Sequence, residues 1–198
     1  MDKTQKMKKI RDEVWELKDS PLYKERISND AYPVLGEGSH DAEIVLIGEA
    51  PGKNEAEQGR PFCGAAGRIL DELLLHIGIY REDVYITNIV KDRPPNNRDP
   101  LPEEIELYAP FLDRQIEAIR PKVIVTLGRF SMQYILDRYG KESETRSISQ
   151  IHGQKLKVYM SYGEISLIPM FHPAVALYNG SKKDELKKDF EILKKYSY

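Results

Sequence analysis

The feature that most constrains this chain is a fourfold alternation. Short runs of aliphatic and β-branched residues, Glu43-Ile-Val-Leu-Ile47, Val84-Tyr-Ile-Thr87, Lys122-Val-Ile-Val-Thr126 and Ile165-Ser-Leu-Ile168, are separated by longer stretches with helical periodicity. The runs are apolar throughout instead of alternating with polar residues, which is the pattern of strands buried on both faces. The intervening stretches supply the covering layers. Ala65 to Ile77 places Ile69, Leu70, Leu73, Leu74 and Ile77 on one helical face, and Pro102 to Ile119 opens with a proline followed by Glu103 and Glu104, as a helix start does. Phe130 to Tyr139 reads as a further helix, Lys182 to Tyr196 as a last, exposed one, and Thr4 to Leu17 as an amphipathic helix through Met7, Ile10, Val14 and Leu17. Asp19, Ser20 and Pro21 end that first helix, and the stretch from there to His40 reads as loop, broken by Pro33, Gly36 and Gly38. Strands alternating with helices predict an α/β fold, a three-layer α/β/α sandwich around a central, mainly parallel sheet of four strands. With no internal repeat and no low-complexity linker, residues 1–198 are expected to form a single domain.

Composition closes off several function classes. Cys63 is the one cysteine, so an internal disulfide, a CxxC redox pair and a cysteine-ligated metal centre within one chain are all excluded. The segment Met1 to Lys9 is lysine-rich and lacks the apolar core of a signal peptide, and a cytoplasmic protein is expected. Nowhere is there an apolar run of the roughly 18 residues that a membrane span needs. Thirty Lys and Arg against 32 Asp and Glu, a net charge of -2, rule out a polycationic nucleic-acid coat but not a local footprint. His40, His76, His152 and His172 show no metal-ligand spacing, so no metal site is expected.

Ligands of open α/β sheets bind outside the carboxyl ends of the strands. Each of the four runs leads into an unusual sequence there: Gly48-Glu-Ala-Pro-Gly52, then Asn88 with Arg93-Pro-Pro-Asn-Asn-Arg-Asp-Pro100 soon after it, then Gly128, then Phe171-His-Pro-Ala174. A phosphate loop is the first reading to test, and it fails on spacing. Three residues, not four, separate Gly48 from Gly52, Asn54 follows Lys53 where Ser or Thr is required, and Gly-x-Gly-x-x-Gly is absent. Bound ATP or NAD is therefore not expected, and no cofactor is. Taken singly, Asn88 would bond a turn, Phe62 would pack, His172 would sit in a His-Pro turn, and Cys63 would be a small buried hydrophobe.

Taken together these residues carry a resemblance. Gly48-Glu-Ala-Pro-Gly52, Gly59-Arg-Pro-Phe-Cys-Gly64 with Ala66-Gly67, Ile86-Thr-Asn88, Arg93-Pro-Pro95 and Phe171-His-Pro-Ala174 follow in the order seen in the family-four uracil-DNA glycosylases, and the similarity runs from about Pro21 to Asn179. The resemblance implies an enzyme that flips uracil out of DNA and hydrolyses its N-glycosidic bond, leaving an abasic site. It implies catalytic roles for Glu49, Asn88 and His172. Asn88 would read the base edge, accepting from N3–H and donating to O4, Phe62 would stack on the base, and His172 would donate to O2 as charge develops there. Gly48, Ala50 and Gly52 would line the substrate pocket. In related glycosylase families an aspartate stands where this chain has Ala50, so the attacking water needs another holder: Glu49, Asn88 or the backbone around Gly48 and Ala50. Related enzymes exclude thymine with a tyrosine at the Gly52 position, and here that task would pass elsewhere, with Glu49 as one candidate. DNA contacts would fall to Asn97 and Arg98, with Val175 or Leu177 as the wedge that fills the gap left by the flipped nucleotide. DNA carrying uracil or another deaminated base is the expected partner, and the protein is expected to be a monomer. A broader glycosylase that also takes hypoxanthine, and a catalytically weak protein that binds damaged DNA, are the alternatives.

The chain departs from that family at one place. Family-four enzymes hold an iron–sulfur cluster on four cysteines, whose matching positions here are Leu17, Ser20, Asp92 and Tyr108. None is a thiolate, so a cluster is not expected. Apolar contacts by Leu17 and Tyr108 are expected to tie the first helix to the Arg-Pro-Pro loop instead.

Overall fold

The computed structural model describes residues 1–140 and 147–196. The chain begins with α1 (Lys3–Trp15) and α2 (Pro21–Ser28), followed by a two-residue strand β1 (Glu37–Gly38) and then β2 (Ile44–Gly48). After β2 come the short α3 (Lys53–Gln58), α4 (Ala65–His76) and β3 (Tyr85–Asn88), then α5 (Pro102–Ile119), β4 (Val123–Leu127) and α6 (Arg129–Tyr139). A single turn α7 (Ile148–Ile151) precedes a hairpin of β5 (Leu156–Met160) and β6 (Gly163–Met170), and the chain closes with α8 (Val175–Tyr178) and α9 (Gly180–Phe190).

The strands form one sheet in the order β1-β3-β2-β4-β6-β5, in which β3, β2, β4 and β6 are mutually parallel and the two edge strands are antiparallel. The four apolar runs are the parallel core, and the four-stranded sheet expected from them is the centre of a six-stranded one. Strand β5 escaped notice because it alternates half-exposed and buried residues at an edge and pairs with its neighbour only through the tight turn Ser161-Tyr162. Along β2, β3 and β4 every residue is buried. Successive side chains point to opposite faces. Val45, Ile47, Ile124 and Leu167 meet Met7, Ile10 and Val14 of α1 and Leu112 and Ile116 of α5 on one side, while Leu46, Val125 and Ile168 meet Leu70, Leu73 and Leu74 of α4 and Leu186 and Phe190 of α9 on the other. These are the three expected layers. Among the described residues no helix is long and apolar enough to cross a membrane.

The stretch after Pro21 is not all loop. Ser20 caps α2, its Oγ accepting from the Leu22 amide at 3.1 Å, and Pro21 occupies the first helical turn. The signals that end α1 thus also start a second helix. The last helix is regular only to Phe190, and Glu191–Tyr196 continue as 3-10 turns.

Three of the four positions that the resemblance matches to cluster cysteines, Ser20, Asp92 and Tyr108, are joined by side-chain hydrogen bonds. The Tyr108 hydroxyl donates to Asp92 Oδ2 at 2.5 Å, so the Ser20 hydroxyl, 2.9 Å from Tyr108 Oη, must donate in its turn. Arg26 closes the group, with Nη1 3.0 and 3.2 Å from the two Asp92 oxygens and Nη2 donating to the Trp15 carbonyl at 2.5 Å. Burial holds the Asp92 carboxyl above the usual range, against the opposing pull of Tyr108 and Arg26. A hydroxyl, a carboxylate and a phenol already bonded to one another do not fit an iron–sulfur cluster. The expected apolar tie between first helix and loop is present at both residues, Leu17 packing on the core and the Tyr108 ring buried within it, and the Tyr108 hydroxyl adds a polar bond to Asp92. Replacing Tyr108 by Phe takes a donor from the buried Asp92 carboxylate and the acceptor from Ser20, and should cost about 1–3 kcal/mol. In a chain of this size that is a fall of roughly 2–10 °C in Tm. An unchanged thermal unfolding curve would show that the hydroxyl is not the tie.

Candidate active site

The chain order places a topological switch between β2 and β4, because β2 is followed by a neighbour on one side of it and β4 by a neighbour on the other. The site lies at that end of the sheet. Gly48, the last residue of β2, sits directly opposite Asn88, the last of β3, and the pairing runs on through Ile89 N–H to Gly48 O at 3.1 Å and Val90 N–H to Glu49 O at 3.0 Å. A Cβ on Gly48 would stand 2.3 Å from Asn88 Oδ1 and 2.8 Å from Phe62 Cζ. Only glycine lets the amide and the ring converge there.

Phe62 has φ +47°, a left-handed conformation that costs a side-chain-bearing residue about 1–2 kcal/mol. Three neighbours hold it. Glu55 Oε1 accepts from the amides of Cys63 at 3.0 Å and Gly64 at 2.9 Å, and Arg81, paired to Asp71 at 2.9 Å, donates to the Pro61 carbonyl. Gly67 of α4 lies beneath, where a Cβ would meet the Phe62 carbonyl oxygen at 1.8 Å. Glu55 and Arg81 were not anticipated from the sequence. The only signal for Glu55 is an acidic residue in the first turn of α3, and Arg81 gives none. Glu55 also reaches Gly52, since a Cβ at that position would be 2.7 Å from Oε2.

His172 follows β6, its ring centroid 5.6 Å from that of Phe62. Gly128, with φ +106°, ends β4 beneath it, and a Cβ on Gly128 would already touch the His172 Cβ at 3.4 Å. The His172 Nδ1 accepts from the Ala174 amide at 3.2 Å, which puts the proton of the neutral ring on Nε2. Burial pushes the imidazole pKa down, with the Glu55 charge opposing, so the neutral ring is favoured. Glu49 is half-buried. Burial first, then the negative Asp99, push its carboxyl up to about 7, against the pull of Arg129. Ala50 turns its methyl towards the core.

A cleft of about 580 Å³ brings Glu49, Gly52, Glu55, Phe62, Asn88 and His172 together, with Ala50 also in its wall and Gly48 beneath it. Asn97 and Arg98 stand at its edge, but their side chains are already engaged. Asn97 Oδ1 accepts from Arg93 Nε at 2.6 Å, and Arg98 makes a two-pronged pair with the buried Glu104 at 2.8 and 2.6 Å. Val175 packs partly buried against the α4 face, whereas Leu177 is 41% and Tyr178 91% exposed. The sequence reading did not single out Tyr178.

The family model described as the uracil DNA glycosylase superfamily matches residues 35–194. The type-4 uracil-DNA glycosylase of Archaeoglobus fulgidus is 49% identical over 158 residues, 80% of this chain and 78% of that one. Those of Sulfurisphaera tokodaii and Saccharolobus solfataricus are 45% and 47% identical, covering 95% and 93% of this chain and 83% of each relative. The match takes in every strand end that builds the cleft, and the chain belongs to the uracil-DNA glycosylase superfamily.

Proposed function

We propose that this protein removes uracil from DNA by hydrolysing the bond between uracil N1 and the deoxyribose C1′, leaving an abasic site. The observation that carries the reading is the convergence of one buried amide, one aromatic face and one neutral imidazole N–H on a single cleft, the complement of a flat base with an N–H between two carbonyls. The base must leave the duplex to reach it. Asn88 accepts from uracil N3–H and donates to O4, and cytosine, with a ring acceptor and an exocyclic donor at those places, leaves the buried amide mismatched. Phe62 stacks on the ring. As the glycosidic bond breaks, its electron pair moves onto the base, and the His172 Nε2–H donates to O2, where the charge collects. Water adds to the electron-poor C1′ from the other side of the sugar, and Glu49 orients it and takes its proton. Rejection of thymine falls to a carboxylate, Glu49 or the Glu55 oxygen that stands over Gly52.

For DNA contact, the engaged side chains of Asn97 and Arg98 give the cleft edge a fixed shape that presents main chain to phosphate. Leu177, with Tyr178 beside it, is better exposed than Val175 to enter the stack. One copy carries every group the reaction uses, so the proposed working unit is the monomer acting on DNA that contains a deaminated base.

The test is abasic-site formation on duplexes carrying uracil, hypoxanthine or a thymine mismatch. Preferential cleavage at uracil is expected; equal cleavage at hypoxanthine would replace this reading with the broader glycosylase, and binding without any cleavage would replace it with a damage-binding protein. His172→Ala should slow single-turnover uracil release about 100-fold while affinity for an abasic duplex, which lacks the charged base, stays within a few-fold. Equal losses in both would make His172 a DNA-positioning residue. With its carboxyl at about 7, Glu49 gains charge as pH rises, so the rate should climb between pH 5 and 7, approaching tenfold per pH unit at the acid end. Glu49→Gln should flatten that limb, and a limb that survives in the variant would remove Glu49 from the chemistry.

A further inference from the structure

Lys91 is completely buried three residues beyond Asn88, and its ammonium has three N–H groups for three acceptors. Nζ lies 2.6 Å from the main-chain carbonyl oxygen of Asn88, 2.6 Å from Gln115 Oε1 and 2.8 Å from Thr87 Oγ1. The direction of each bond is set by its surroundings. The Thr87 hydroxyl gives its own proton to the Leu35 carbonyl at 2.7 Å, and the Gln115 amide N–H groups go to the same carbonyl at 2.8 Å and to the Tyr85 hydroxyl at 3.1 Å, so both side chains face the lysine as acceptors. Asp92, the next residue, is turned to Arg26 and Tyr108. Burial pushes the amine's pKa down to about 7. The neutral amine would have two N–H groups for three acceptors, so the geometry is that of the ammonium.

A buried ammonium costs several kcal/mol of lost hydration, and an apolar residue would fill the same volume without it. What lysine adds is reach. From one atom at the end of a long stem it grips the carbonyl of Asn88, the side chain of Thr87 on the same strand, and α5 through Gln115. We propose that Lys91 is a positioning residue for base reading: by fixing the Asn88 carbonyl to Thr87 and to α5 it sets the plane of the Asn88 amide that meets uracil. This rests on the assignment of Asn88 as the base reader. Misplacement by about 1 Å at such a group costs on the order of 100-fold in rate, which is why a contact with no exposure to the cleft can matter to the chemistry.

A double-mutant cycle on the full chain tests it, comparing the wild type, Lys91→Met, Asn88→Ala and the double variant by single-turnover uracil release, affinity for an abasic duplex and Tm. Lys91→Met is expected to slow uracil release at least 30-fold with abasic affinity within threefold, and to cost less than threefold more when Asn88 is already Ala, because a residue that acts through Asn88 has nothing left to position. The same loss in both backgrounds, or a lower Tm with an unchanged rate in the folded enzyme, would overturn the proposal. If Lys91→Met does not fold, Gln115→Leu, which frees the lysine from α5 without touching Asn88, goes through the same cycle with an expected loss of at least fivefold that vanishes beside Asn88→Ala; a loss that persists there, or no loss, overturns it. Uracil release undiminished by Asn88→Ala alone would instead refute the base-reading assignment, and the Lys91 role with it.

Discussion

The site depends on how closely β2 and β3 approach at their carboxyl ends. Parallel pairing puts Gly48 opposite Asn88, and the missing side chain of Gly48 leaves the space into which the Asn88 amide and the edge of Phe62 both fit. Everything else in the cleft is arranged round that contact. Gly67 under the Phe62 backbone repeats the same device, letting main chain come nearer than a Cβ would permit, and Gly128 under His172 is set apart by its φ of +106°. The strain of Phe62 is held in place by Glu55 and Arg81, which fixes that wall of the cleft.

Two groups of buried polar side chains form closed sets. Ser20, Tyr108, Asp92 and Arg26 satisfy one another around positions that the family-four resemblance matches to cluster cysteines, and Lys91, Thr87 and Gln115 satisfy one another behind the strand end that carries Asn88. The two sets are adjacent in sequence at Lys91 and Asp92 and tie the loop after β3 to α1, α2 and α5. A buried polar set with every donor matched orders its surroundings, and the same low dielectric makes each missing partner costly. In the cleft itself, His172 is held by the fold through Nδ1, burial favours its neutral ring, and the Glu49 carboxyl is pushed up to about 7.

The parallel core could be read from the chain because strands buried on both faces cannot alternate, and Ile44 to Ile47, Val123 to Thr126 and the others show it without ambiguity. The edges could not. Strand β5 exposes every second residue and looks like any amphipathic stretch, β1 is two residues long, and Ser20-Pro21 signals the end of one helix and the start of the next equally well. Glu49, Phe62, Asn88 and His172 stood out through their motifs, while Glu55 and Arg81 did not, because a carboxylate that bonds amides eight and nine residues away has no local signature.

The sequence by itself determined the layers, the parallel core and the strand ends that line the cleft, since those follow from local periodicity and from residues with few other uses. The tertiary structure alone decided which groups meet. That the Tyr108 hydroxyl reaches Asp92, that Arg98 is engaged by Glu104, and that Lys91 grips the carbonyl of Asn88 depend on contacts between residues distant in the chain or on the direction a side chain takes once buried. Hydrogen bonds are directional and short-ranged, so their partners are chosen only when the sheet and its covering helices have brought the donors within about 3 Å of an acceptor.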